Sequence, residues 1–387
     1  MSSVLFVTTV SRTLRAFLLP FAQHFRAQGW RVDAAASGVS ECDDCRPVFD
    51  NVYDIEWSRD PKNPANFLHA PRTIREIVER GEYDIVHVHT PIAAFVTRYA
   101  LRKSRNHGGP KIIYTAHGFH FHKGGPALTN GVFLGIERLA GHWTDYLVVM
   151  NEDDHEAAHR YRILPGERIH YMHGIGVDTE LFSPDRISDE EVSRVRAEIG
   201  IGNAELLFLM VGEFIPRKRH HDALEAFARL KHSQAHLALA GRGPLRADME
   251  TLADRLGITH KVHFLGYRRD IPRLIRSSQA VLLPSAQEGL PRSAMEALSL
   301  GVPVIGSDIR GTRDLLADNC GLLMRVGDID GLAEAMTWIL EHPDEARAMG
   351  QRGRIKMKGE YDTRNIVKLH AQLYADALGV GHAHAKV

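Results

Sequence analysis

Short apolar runs alternate with stretches of helical spacing along nearly the whole chain. Ser3 to Thr8 is apolar, Arg15 to Gln28 has helical spacing and stops at Gly29, and Val32 to Ala36 is apolar again. Arg72 to Arg80 is helical and closes with Gly81. Asp84-Ile-Val-His-Val-His89 then reads as a buried strand, followed by a helix from about Ile92 to Lys103. Ile112 to Thr115 and Tyr146 to Met150 are further strands. Short strands alternating with helices predict βαβ units and a parallel sheet, hence an α/β fold.

The second half repeats the scheme. Leu206 to Val211, Ala235 to Ala240, Lys261 to Leu265, Ala280 to Leu283 and Pro303 to Gly306 are its candidate strands. Helices fall near Arg219 to Leu230, Leu245 to Leu256, Ile271 to Arg276, Arg292 to Leu300 and Asp330 to Leu340. Asp178 to Pro184 and an acidic, polar helix to Gly200 read as a linker. The pattern predicts two doubly wound domains, residues 1–180 and 200–358, with a ligand cleft at the carboxyl ends of their strands. A last helix, within 362–380, is expected to pack back on the first domain.

Length and charge narrow the classes. The 387 residues suit about two domains. Lys+Arg and Asp+Glu are 48 each, which argues against a wholesale nucleic-acid binder. No apolar run approaches the ~20 residues of a membrane span. The start, MSSVLFVTTVSRT, has no basic segment and only a short apolar run, so a first strand and a cytoplasmic protein are expected. Three cysteines fit a reducing compartment. Cys42-Asp-Asp-Cys45 has no second pair to complete a zinc site, and Asp43 and Asp44 would raise a thiol pKa. An inert surface loop is expected there, and His382-Ala-His384-Ala-Lys386 reads as a short tail.

Three regions carry candidate chemistry. Glu288-Gly-Leu-Pro-Arg-Ser-Ala-Met-Glu296 follows the apolar run Val281 to Pro284. Pro291 opens a helix, which places the amides of Gly289, Leu290 and Arg292 at its N-terminus as an anion site. Amides for phosphate beside carboxylates for hydroxyls suit a sugar nucleotide. The spacing alone fits a capping Glu and a solvated Glu equally well. Val211-Gly-Glu-Phe-Ile-Pro-Arg217-Lys218-Arg219 delivers three cations to a helix start, where they oppose the helix dipole. A bound polyanion would resolve that conflict; a solvated basic loop is the alternative. Between Ile85 and Ile136 the chain has no Asp or Glu, and it carries six Lys or Arg and six His. This region includes Arg105 and Lys123 and predicts a positive potential. Within it, His117 follows a strand beside Gly118, a position suited to meeting substrate or to a bond within the loop.

In this order, YDIVHVHTP, YTAHGF, GIGVDTELF, VGEFIPRK, AGRGP, LGYRRDI and EGLPRSAMEALSLGVPVIGSD resemble glycosyltransferase family 4. The likeness is greatest to the branch building bacterial exopolysaccharide, capsule and lipid-linked glycans, and it spans about residues 3–375. It implies the GT-B fold, two Rossmann-like domains facing across a cleft, with no metal and no cofactor. By resemblance Lys218 binds the donor diphosphate with help from Arg217, and Glu288 lies near the donor sugar hydroxyls in a pocket shaped by Gly289, Leu290 and Pro291. Glu296 contacts the ribose, Tyr267 and Arg268 lie where the base stacks and bonds to backbone, and His117 is the residue of the first domain that enters the cleft. Many members have an Arg after the Gly of the VGEFIPRK element, where this chain has Glu213. The usual Gly-Gly loop after the first strand is also missing, and Ser11 and Arg12 stand on the acceptor side instead.

The mechanism implied is retaining transfer from a nucleotide sugar, expected to be a UDP-sugar. Lys218 and the helix amides stabilise the departing diphosphate, and His117 orients the donor rather than acting as base. A UDP-sugar epimerase of the same fold is the alternative. A dehydrogenase is disfavoured because no Gly-x-Gly-x-x-Gly follows the first strand. The cationic stretch suggests an acceptor on undecaprenyl diphosphate, or another glycan, and peripheral contact with the inner membrane face. Leu14 to Phe25 could add to that contact, although a core-facing first helix accounts for it better.

Overall fold

Val4 and Phe6 point to one side of the first strand, Leu5 and Val7 to the other, and all four are fully buried. A strand buried on both faces belongs inside a parallel sheet covered by helices on both sides. The computed structural model describes residues 1–57, 63, 65–104, 108–122 and 125–379. Arg105, Lys123 and the tail with His382, His384 and Lys386 lie outside the described residues.

The chain forms two units, Met1–Ile175 with the stretch from Thr363 onward, and Gly176–Asp362. In the first, β1 (Ser3–Val10), β2 (Arg31–Ser37), β3 (Val52–Asp54), β4 (Ile85–His89), β5 (Lys111–Ala116), β6 (Tyr146–Val149) and β7 (Ile169–Tyr171) form one parallel sheet. Its order is β3-β2-β1-β4-β5-β6-β7. In the second, β8 (Leu206–Val211), β9 (Ala235–Ala240), β10 (Val262–Gly266), β11 (Ala280–Leu283), β12 (Val304–Ser307) and β13 (Gly321–Met324) lie parallel in the order β10-β9-β8-β11-β12-β13. Here too the first strand is buried on both faces, Leu207 and Leu209 against one helical layer, Phe208 and Met210 against the other.

Helix Thr363–Ala377 belongs to the first unit, where Ile366, Val367, Leu373 and Tyr374 pack with Phe21 and Phe25. The acidic helix read as part of a linker, Asp189–Glu198, belongs to the second. It starts with a capping box of Ser188 and Glu191, and Val195 and Ile199 enter the core around Leu207 and Leu274. Arg196 donates to the Ser277 carbonyl at 2.6 Å.

Three strands escape the apolar pattern: β3, β7 and β13. Each has three or four residues at a sheet edge and is only part buried, so none builds a visible run. Helices Ala127–Gly141 and Pro343–Gly359 also go unread.

Cys42 and Cys45 correct an expectation. The turn from Val39 brings their Cα atoms to 5.2 Å, and the two form a disulfide, with Cys45 fully buried in the first unit's core. Among the described residues, no helix is long and apolar enough to cross a membrane.

Candidate active site

In the second sheet the strand order reverses at β8. The chain lays β9 and β10 on one side and returns to add β11, β12 and β13 on the other. The loops after β8 and β11 diverge at that point, which is where open α/β sheets bind ligands. The loop after β8 makes a turn, Pro216–Lys218, and the loop after β11 runs to the helix Arg292–Ser299. The Ala286 amide donates to the Arg217 carbonyl at 2.8 Å and joins the two loops.

This junction brings Arg217, Lys218 and Glu288 together. Lys218 Nζ lies 2.6 Å from Glu288 Oε1, with both side chains largely buried. The Lys218 stem crosses Gly212, where an added Cβ would sit 3.6 Å from Lys218 Cδ. Arg217 is half exposed and reaches Glu288 Oε2 at 3.4 Å and the Gln287 carbonyl at 3.3 Å. A compact ammonium held at a helix N-terminus suits a doubly charged phosphate ester.

Gly289 and Leu290 lead into Pro291, which is the N-cap residue and not the first helical one. Its carbonyl accepts from Ala294 and Met295. The first turn of this helix contains no acid, which keeps its positive end available to an anion. Glu296 sits in the second turn, buried, and accepts from Arg292 Nε at 2.7 Å. Burial raises its pKa, and Arg292 offsets part of the rise.

Tyr267 and Arg268 follow β10. The Tyr267 ring is 56% exposed, an open platform with the Arg242 guanidinium 5.7 Å from its centroid. Arg268 is tied down by Asp270 at 2.8 Å and Glu198 at 3.1 Å. Its guanidinium therefore braces the loop.

Sequence reasoning missed Arg310 and the reason for Gly311. Arg310, buried after β12, donates to the Glu288 carbonyl at 3.3 Å. Gly311 has φ +72°, and a Cβ there would lie 1.9 Å from the Gly289 carbonyl oxygen. The turn after β12 thus presses against the Glu288–Leu290 turn, and only glycine fits. The signal available was Ser307-Asp-Ile-Arg-Gly311 directly after an apolar strand. The glycines of AGRGP do the same on the other side: a Cβ on Gly241 would fall 1.8 Å from the Gly212 carbonyl oxygen.

In the first unit His117 follows β5. Its Nε2 lies 3.1 Å from His89 Nδ1, and Phe17 stacks on its ring at 5.7 Å. Burial lowers its pKa to about 4, with His370 nearby adding to the effect. The loop beyond it is anchored where the Phe119 amide donates to Asp154 at 3.1 Å. Asp154 lies in helix Glu152–Arg160, whose N-cap is Asn151. Ser11 and Arg12 open a short helix directly after β1, with Arg12 exposed.

The chain matches two family profiles, glycosyltransferase family 4 over residues 16–181 and glycosyl transferases group 1 over residues 192–356. It is 34% identical over 375 residues to EpsD of Bacillus subtilis strain 168, a protein assigned as a glycosyltransferase, with 96% of each chain covered. The chain belongs to glycosyltransferase family 4. A further relative, 26% identical over 70% of this chain and 69% of its own, is the UDP-Gal:alpha-D-GlcNAc-diphosphoundecaprenol alpha-1,3-galactosyltransferase of Escherichia coli. Among solved structures, Anabaena HepE in complex with UDP matches at TM-score 0.80 and 19% identity over 97% of this chain and all of its own. The lipopolysaccharide glycosyltransferase WaaG matches at TM-score 0.75, also at 19% identity, over 96% of this chain and 99% of its own. This family-4 enzyme has the two Rossmann-like domains of the GT-B class, as its motifs lead one to expect.

Proposed function

We propose that this chain is a retaining, metal-independent glycosyltransferase that moves a sugar from a UDP-sugar to a lipid-linked diphosphate glycan in bacterial surface polysaccharide synthesis. The observation that carries this reading is the Lys218–Glu288 pair at the reversal of the second sheet. The complexes of HepE with UDP and with UDP-glucose support the donor class. The name of the Escherichia coli relative supports the acceptor class.

The chemistry follows from the residues. As the anomeric bond to the diphosphate breaks, negative charge grows on the leaving oxygens. Lys218 Nζ and the N-terminus of helix Arg292–Ser299 stabilise that charge, and Arg217 stands beside them. Glu288 exchanges part of its bond with Lys218 for the donor sugar hydroxyls. Glu296 holds the ribose, and Tyr267 supplies a face for the base. His117 orients the reacting sugar. The accepting hydroxyl attacks from the side the diphosphate leaves, and the departing phosphate takes its proton, so no protein nucleophile is required.

A membrane partner has its own support. Leu14, Leu18, Phe21 and Phe25 are core residues, which supports the reading of that segment as a core-facing helix. Helix Ala127–Gly141 instead presents Leu128, Val132 and Leu139 on one face, 83%, 54% and 50% exposed. Gly131 and Gly135 continue the stripe, and Arg138 flanks it. Apolar side chains beside cations suit the surface of an anionic leaflet.

The test is UDP release with a panel of UDP-sugars and an undecaprenyl-diphosphate-linked acceptor, with and without a chelator. Acceptor-dependent release that survives chelation, with the anomeric configuration kept, supports the reading. A new UDP-sugar formed without acceptor would replace it with epimerase activity.

A further inference from the structure

His89 is the last residue of β4, and its ring is 1% exposed. It meets the rings of His87 at 4.2 Å and Phe6 at 6.1 Å. Its Nδ1 pairs with His117 Nε2 at 3.1 Å. Its Nε2 is buried with no hydrogen-bond partner among the described residues. The backbone directly after it is held in an unusual shape. Thr90, a β-branched residue, has φ +66° and ψ +139°. The Thr9 amide donates to Thr90 Oγ1 at 3.1 Å, and the two hydroxyls lie 2.7 Å apart. A strained residue fixed in this way is a mark of a site whose geometry matters.

The pair is made of two neutral imidazoles, since burial holds His89 well below its ordinary pKa and His117 at about 4. One nitrogen of the pair must therefore donate and the other accept, which allows two arrangements. If His117 donated from Nε2, His89 would accept at Nδ1 and carry its own proton on Nε2. That would bury an N–H donor without an acceptor, the rarest kind of buried polar group. If His89 donates from Nδ1, its buried Nε2 is a bare acceptor, the more readily tolerated state. Phe17, stacked on the His117 ring, keeps that ring in place.

We infer that His89 is a positioning residue that holds His117 in the Nδ1–H tautomer, so that His117 meets its ligand as a neutral hydrogen-bond donor and not as a base. Nδ1 is then the nitrogen left to bind substrate, and its N–H suits a hydroxyl or phosphate oxygen. This rests on the reading that His117 serves the reacting sugar. The other titratable groups around the pair, His87, His370 and Tyr374, are buried as well. His87 is itself fixed, with Nδ1 at 2.5 Å from the Tyr374 hydroxyl and Nε2 at 2.8 Å from Thr115 Oγ1.

The test is long-range ¹H–¹⁵N NMR of the full chain with ¹⁵N-labelled histidine, with His117→Gln used to assign the His117 signals. Wild-type His117 should show a protonated Nδ1 and a bare Nε2. His89→Asn, whose amide nitrogen stands where Nδ1 stood, should keep that pattern and most of the turnover. His89→Leu should release the tautomer and lower kcat by about tenfold or more, as losing the partner that fixes an imidazole's tautomer does elsewhere, with donor KM nearly unchanged. A protonated His117 Nε2 in the wild type overturns the inference, as does a His89→Leu enzyme with wild-type kcat. If His89→Leu does not fold, the wild-type spectrum and His89→Asn decide. A correct tautomer together with a fully active His117→Gln would sink the assigned role of His117 while leaving its pairing with His89 intact.

Discussion

Lys218 Nζ, on the loop after β8, lies 2.6 Å from Glu288 Oε1, on the loop after β11, across 70 residues of sequence. The pair is largely buried, so each charge depends on the other. It also holds in place the cation proposed to bind the donor diphosphate. Lys218→Ala is expected to lower UDP release roughly 10²-fold or more, the loss usual when one donor to a developing charge is removed. Unchanged kinetics would place the donor elsewhere.

The same pair gives a coupling test. Glu288→Ala leaves a buried ammonium without its main partner and should cost about 3 kcal/mol or more of stability. Glu288→Ala combined with Lys218→Met should cost less than the sum of the two single changes, because both remove one interaction. Urea unfolding measures all three, and strict additivity would mean the pair is not coupled.

Gly311→Ala should damage the site without touching substrate. The added Cβ meets the Gly289 carbonyl oxygen at 1.9 Å, and φ is +72°. A non-glycine residue in this region costs about 1–3 kcal/mol before any clash. Weaker UDP-sugar binding in calorimetry, with a lower Tm, is the expected result. A variant with wild-type affinity would show that the two turns move independently.

Stability should fall on mild acidification. His117 and His370 are both held at about 4, chiefly by burial, against an ordinary 6.5. Between those values the unfolded chain takes up protons that the folded chain refuses. Stability is therefore full above about pH 6.5 and is lost as pH falls from there toward 4, by up to ~1.4 kcal/mol per pH unit for each group. Urea midpoints at pH 7, 6 and 5 measure this, and a flat series would mean these imidazoles take up protons in the fold as readily as in the unfolded chain. The pH–rate profile between 6 and 8 should show no His117 titration.

Leu128→Glu with Val132→Glu should detach the enzyme from anionic vesicles. Burying each of these side chains contributes ~1.5–3 kcal/mol, so losing two lowers partitioning roughly 100-fold or more. Turnover on a soluble acceptor analogue should stay at the wild-type level, since the stripe lies outside the residues assigned to transfer. Equal sedimentation of variant and wild type would remove this helix from the contact, and a wild-type dimer lost in the variant would assign the stripe to a second copy.

Much of this protein is written locally. Alternating apolar runs and helical stretches define two parallel α/β units, because a strand covered on both faces must be apolar throughout, as Val4 to Val7 are. The glycines and prolines of VGEFIPRK, AGRGP and EGLP mark the loops at strand ends, because turns and close backbone approach demand those residue types. The short edge strands β3, β7 and β13 leave no such trace, being half exposed and only three or four residues long. Neither do partnerships between distant segments. Lys218 meets Glu288 only because the strand order reverses at β8, and Glu288 is further braced by Arg310 from the next strand. His87 meets Tyr374 across 287 residues because the last helix packs on the first unit. Residue types and their local spacing thus determine which chemistry the chain carries. Which atom donates to which, down to the tautomer of His117, is decided by burial and by contacts between strands and helices that are not neighbours in the chain.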